Sequence, residues 1–159
     1  PITDPVAADR STRNQGARQG AAQFSRGEGM WYHDNAVFIS STDGGPDSLG
    51  QIFRLEIDRT GHPDRLTLIA QSESRKILDS PDNLTVSPTG QLFIAEDGSA
   101  PNLIRVMDHN NNLVPFARNA LNDGTSEFTG ICFSPDGRWL FANLQKAGLT
   151  LAIWGPFVS

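Results

Sequence analysis

With a single cysteine, Cys132, the 159-residue chain cannot close an internal disulfide. That scarcity leaves the redox compartment open, because large exported proteins can also do without bridges. No apolar run approaches the roughly 20 residues needed for a membrane-spanning helix. Pro1 opens a polar segment with neither a basic n-region nor an apolar h-region, so a targeting signal is expected to have been removed or never included. A cationic excess is missing as well: 13 Lys and Arg stand against 18 Asp and Glu, for a net charge of −5. Nucleic acid needs a clustered basic face and is therefore excluded as a partner, as is a membrane; small ligands and cations fit better. The sequence has no GxSxG elbow and no phosphate-cradling P-loop. Nor does any window hold a helical apolar stripe beyond about two turns, which excludes a helical domain.

What is present is punctuation and repetition. Fifteen glycines and ten prolines cut the chain into short apolar runs, the pattern of an all-β fold. "EGMWYHDNAVFISSTDGG", "DNLTVSPTGQLFIAEDG" and "TGICFSPDGRWLFANLQ" share one grammar: polar start, alternating run, tight turn, second apolar run. Aligning Phe38, Phe93 and Phe141 gives spacings of 55 and 48 residues. Two further candidate strands follow each of the first two hairpins, and one follows the third. Four antiparallel strands at such a period predict β-propeller blades, about three of a larger, six-bladed ring; a single sandwich is the competing fold. The expected division is a polar connecting segment over 1–27, ordered only by docking, and blades at about 28–75, 80–120 and 127–159. Three blades leave apolar faces bare, so either the chain is a piece of a larger protein or copies of it close the ring.

In such a ring the start of each inner strand lies at the channel mouth. Glu28, Asp82 with Asn83, and Glu127 precede or open the three inner strands, and oxygen donors converging there suit hard cations. Glu96 and Asp97 end the second hairpin; they could add ligands or form the "EDGS" turn. Asx-turns are the competing role for Asp82 and Asn83. Arg26 sits two residues before Glu28, where its guanidinium could hold phosphate or form a surface ion pair. His33, His62 and His109 lie in turn-like settings and read as solvated rather than as zinc ligands. Ser40, Ser41 and Thr42 could reach the mouth but lack an evident base. Cys132 reads as a small buried hydrophobe, and Trp31, Trp139 and Trp154 as packing between blades.

Taken together, "FSRGEGMWYHDNAVFISSTDGG", "LDSPDNLTVSPTGQLFIAEDG" and "SEFTGICFSPDGRWLFANLQKAGLTLAIWGPF" resemble, in order and over essentially the whole chain, the C-terminal part of the PhoX-type alkaline phosphatases. That resemblance implies a distorted six-bladed propeller and an exported, periplasmic or extracellular phosphomonoesterase with calcium and iron at its mouth. It implies that Arg26 contacts the phosphate of a phosphomonoester and that Glu28 bridges metals. It further implies ligand roles for Asp82, Asn83, Glu96 and Glu127. Gly27 stands where the family usually has a bulkier residue. The family's cysteine iron ligand and further acidic ligands belong to an N-terminal portion outside this sequence. The isolated chain is therefore expected to be incomplete as a phosphatase and to pair with that portion or with further copies of itself. The alternatives are a calcium-dependent, lactonase-like propeller and a non-catalytic propeller module that binds a partner.

Overall fold

A computed structural model of the protein describes residues 2, 4–6 and 11–158. Pro1 and Arg10 of the leading segment lie outside the described residues. Within that segment Thr12–Arg18 forms a two-turn helix, α1, capped by the Ser11 hydroxyl, which accepts from Asn14 N. The segment's end rests on the first sheet: Phe24 meets Phe53 edge-on with ring centroids 5.0 Å apart.

The alternating runs form three separate antiparallel sheets. The first holds β1 (Gly27–His33), β2 (Ala36–Ser41), β3 (Gln51–Glu56) and β4 (Arg65–Gln71), in that order. The second holds β5 (Pro81–Val86), β6 (Leu92–Glu96), β7 (Leu103–Met107) and β8 (Leu113–Arg118), and the third β9 (Phe128–Phe133), β10 (Trp139–Leu144) and β11 (Leu149–Trp154). Turn chemistry explains the inner hairpins. Asp34 and Asn35 both take positive φ, 45° and 61°, as a two-residue hairpin turn requires. In the other two sheets Ser87 and Ser134 each accept a backbone N–H across the turn, from Gln91 and Trp139 at 3.0 Å.

The inner strands β1, β5 and β9 lie side by side in chain order. Strand β6 shows why the sheets stack: it is buried on both faces. Leu92 and Ile94 join Trp31, Phe38, Ile52 and Leu78 between the first and second sheets. Phe93 and Ala95 join Phe128, Leu140, Ala142 and Leu144 between the second and third. This is a β-propeller arc of three blades, the fold expected from the repeat.

Both ends of the arc present apolar sheet faces. In blade 1 the register aligns Met30, Ile39, Phe53 and Leu68, and beside them Tyr32, Val37, Leu55 and Leu66, all on the face turned away from blade 2. In blade 3, Trp139 pairs with Trp154 and Phe141 with Cys132 on the corresponding outer face. Of the three tryptophans, only Trp31 packs between blades; Trp139 and Trp154 are 40% and 70% exposed. Cys132 is half-buried on that same outer face rather than a core residue.

Candidate active site

Each hairpin is closed at its mouth by the same backbone bond: Thr42 N to Arg26 O at 2.9 Å, Asp97 N to Ser80 O at 2.9 Å, and Gln145 N to Glu127 O at 3.3 Å. Just inside, each inner strand carries one residue more than its partner. The extra residue falls between Gly27 and Met30, between Pro81 and Leu84, and between Thr129 and Cys132. Such bulges bend a strand and re-aim its side chains. Glu28, Asp82 and Asn83 occupy these bulges, so the repeat places them at equivalent points around the mouth.

The blades touch closely here. A Cβ on Gly29 would lie 2.3 Å from Asp82 O, so only glycine lets β1 approach β5. Ser40 and Thr42 donate to the carbonyls of Asp82 and Pro81, each at 2.8 Å. These buried hydroxyls latch blade 1 to blade 2. Asn83 Oδ1 accepts from Gly130 N at 2.8 Å and does the same between blades 2 and 3. Gly27 is open: a Cβ there would meet nothing within 4 Å.

Arg26 stands at the centre of the charges. Its backbone is left-handed, with φ 47°. Its guanidinium reaches Asp97 Oδ2 at 2.9 Å, Glu28 Oε1 at 3.4 Å and Asp43 Oδ1 at 3.6 Å. The bond to Asp97 is the main reason its pKa is raised, with the charges of Asp43, Asp97 and Glu28 adding to it. Burial raises the carboxyl of Asp82, and the nearby charges of Glu28 and Asp97 push it further. Glu127 is pushed up to about 7 by burial, by a hydrogen bond with Asp97, and by the charges of Asp97 and Asp82, against the pull of Lys146.

The structure thus brings Arg26, Glu28, Asp82 and Glu127 together, with Asn83 tying the wall behind them. Glu96 is not among them. It is 1% exposed, its Oε1 accepts from Arg105 Nε and from Asp79 N, and its Oε2 accepts from Leu103 N at 3.2 Å. Adjacent strand residues point to opposite sides, and it is Asp97, one residue on, that faces Arg26. Asp43, which also reaches Arg26, is a carboxylate to which the sequence alone did not point. Asp97 directly follows Glu96, the last paired residue of its hairpin, while Asp43 lies two residues past Ser41; what they share is the following glycine, in "STDGG" and "AEDG". His33 and His109 line a groove between blades 1 and 2 together with the turn residues Asp34 and Gly90.

Five carboxylates therefore face two cations, Arg26 and Lys146. An all-oxygen donor set with surplus negative charge fits calcium. Among the described residues, no three His, Cys, Asp or Glu side chains stand close enough together to hold an ion. Cys132, on the outer face of blade 3, brings no thiolate to the mouth.

The crowding has a pH signature. Without a bound cation, Glu127 titrates in the folded protein at about 7, against 4.5 for the free group. A raised folded-state pKa gives stabilisation that is complete below the unfolded value and lost as pH rises through the folded one. Thermal unfolding in chelator should show stability falling between about pH 5 and 8, by about 1 kcal/mol once solvent screening of this part-exposed group is allowed for. Glu127→Gln should flatten that slope; an unchanged slope would assign the proton to another group.

The sequence profile described as alkaline phosphatase PhoX matches residues 3–148. Among solved structures, a selenomethionine-substituted virginiamycin B lyase from Staphylococcus aureus is similar at TM-score 0.53 and 16% identity, over 82% of this chain and 41% of that one. A protein assigned as a 6-phosphogluconolactonase from Bacteroides uniformis is similar at TM-score 0.49 and 18% identity, over 77% of this chain and 36% of its own. The first likeness supports the propeller fold alone. The chain thus spans less than half the length of the structures it matches. No curated relative matches it significantly.

Proposed function

The chain belongs to the alkaline phosphatase PhoX family, and from that membership we propose that it forms the C-terminal arc of a metal-dependent phosphomonoesterase propeller. The observation that carries this reading is the convergence, from three blades, of Arg26 with Glu28, Asp43, Asp82, Asp97 and Glu127. A guanidinium fork is built to hold two oxygens of a phosphoryl group, and it is of less use to a neutral lactone. Glu28, Asp82 and Glu127 would hold calcium. Calcium held there would neutralise phosphate charge and make an attacking water easier to deprotonate. Arg26 holds the equatorial oxygens as charge develops on them. Ser40, Thr42 and Asn83 fix the blades so that these groups keep their spacing. Iron enters the proposal through the family alone; its thiolate would come from the N-terminal portion of the protein, since Cys132 lies on the outer face of blade 3. That portion, or further copies of the chain, completes the ring, and the enzyme works in the periplasm or outside the cell.

The test is cation removal from the closed enzyme. A calcium chelator should lower hydrolysis of a chromogenic phosphomonoester by at least about 10²-fold, the scale of losing electrostatic stabilisation at the reacting group, and calcium should restore it. Full activity in protein stripped of calcium would sink the reading. Turnover of a lactone with none of the phosphomonoester would give the site to the lactonase alternative.

A further inference from the structure

Arg26 touches three carboxylates, and they are not equivalent. Glu28 and Asp43 belong to its own blade and stand at 3.4 and 3.6 Å, whereas Asp97 reaches across from blade 2 and bonds at 2.9 Å. Left with the first two alone, the guanidinium would be drawn back over blade 1. Asp97 draws it toward blade 2, beside Asp82.

Its platform is stiff. Asp97 N is fixed to Ser80 O at 2.9 Å. On one side Glu96 is locked to Arg105 in the blade interior. On the other, Gly98 N bonds Asn102 Oδ1 at 2.7 Å, and Ser99 N bonds Asp79 Oδ2 at 2.8 Å. A Cβ on Gly98 would lie 2.4 Å from the Asp79 carboxyl carbon, so the turn is packed without slack. Asp97 also stands near enough to Glu127 of blade 3 to act on its charge, which places it between Arg26 of blade 1 and Glu127 of blade 3.

We propose that Asp97 is a positioning residue for the reaction: it holds the Arg26 guanidinium across the boundary between blades 1 and 2, in the orientation that receives the phosphoryl group. The inference rests on the reading of Arg26 as the phosphoryl-binding residue. Its energetic logic is preorganisation. An arginine has several rotatable bonds to freeze, and misplacing a binding group by about 1 Å can cost on the order of 10²-fold in rate.

The experiment is a double-mutant cycle in the closed enzyme, with Asp97→Ala, Arg26→Ala and the pair, and with Asp97→Asn as the shape-conserving variant. Asp97→Ala is expected to lower kcat/KM for a chromogenic phosphomonoester by about 10- to 10²-fold and to weaken inhibition by inorganic phosphate by a similar factor. In the Arg26→Ala background the same change should cost less than about threefold, because coupled residues are not additive. Asp97→Asn, which keeps an oxygen acceptor, should recover part of the loss, and calcium content should match the parent in every variant. Additive losses would overturn the inference, as would calcium lost from both Asp97 variants, since that would make Asp97 an ion ligand. If Arg26→Ala itself leaves kcat/KM and phosphate inhibition unchanged, the underlying assignment of Arg26 fails, and that outcome is distinct from both.

Discussion

Arg26→Ala is expected to lower kcat/KM of the closed enzyme for a phosphomonoester by about 10²–10³-fold, the scale seen when one preorganised donor to a developing charge is removed. Arg26→Lys should recover little of this, because an ammonium cannot supply two parallel donors to a phosphoryl group. The left-handed φ of 47° at Arg26 sharpens the expectation. A non-glycine residue held there costs of order 1 kcal/mol or more, and such strain collects where geometry matters to function. Alanine would retain most of that backbone cost while losing the charge. Calcium content is the control that separates substrate binding from collapse of the site. Removing Arg26 leaves Glu28, Asp43, Asp82, Asp97 and Glu127 with only Lys146 nearby, so calcium should be retained at least as well as in the parent. Loss of activity together with loss of calcium would mean that Arg26 organises the carboxylates rather than the substrate. Activity within about threefold of the parent would remove Arg26 from the reaction.

The propeller was legible because its signal is redundant. Phe38, Phe93 and Phe141 fall at matched places in three hairpins, and the tight turns that fix their register are written in short polar runs. The candidate site was legible only in part, for a reason of one residue. In "AEDG" the strand period sends Glu96 into the blade and Asp97 to the mouth, and nothing local says which goes where. The deciding partner of Glu96 is Arg105, on the next strand, which closes a buried ion pair that burial would otherwise make costly. The bulges were equally hidden, since an extra residue in β1, β5 or β9 is defined only against its partner strand. Asn83 illustrates the same limit: "PDN" reads as turn chemistry, yet its amide carbonyl bonds Gly130 N, 47 residues away. Trp139 and Trp154 read as packing between blades, but the face they share has no described blade against it.

That bare geometry sets the last expectation, which concerns closure. Leu66 and Leu68 on β4 are 44% and 45% exposed, on the blade 1 face that also carries Met30, Tyr32, Phe53 and Leu55. The faces that blades 1 and 2 turn to each other are built of the same residue types and are buried. A face of this composition is stable in water only when covered, and in a propeller another blade's sheet covers it. The double substitution Leu66→Glu, Leu68→Glu should therefore act with opposite signs on two measurements. In the arc alone it replaces exposed leucines and disturbs little of the described core, so self-association by sedimentation should fall while the folding transition is kept. In the closed enzyme it puts two carboxylates against an apolar sheet, at a cost of several kcal/mol, so docking and phosphomonoester turnover should drop together by more than about 10²-fold. The parent arc without its partner should associate and show almost no turnover, because Arg26 and the carboxylates supply one side of a site whose ions need ligands from all round the mouth. A parent arc that sediments as a monomer and hydrolyses substrate at about 1 per second or faster, within the usual range for enzymes, would show that neither face needs a partner and that three blades suffice.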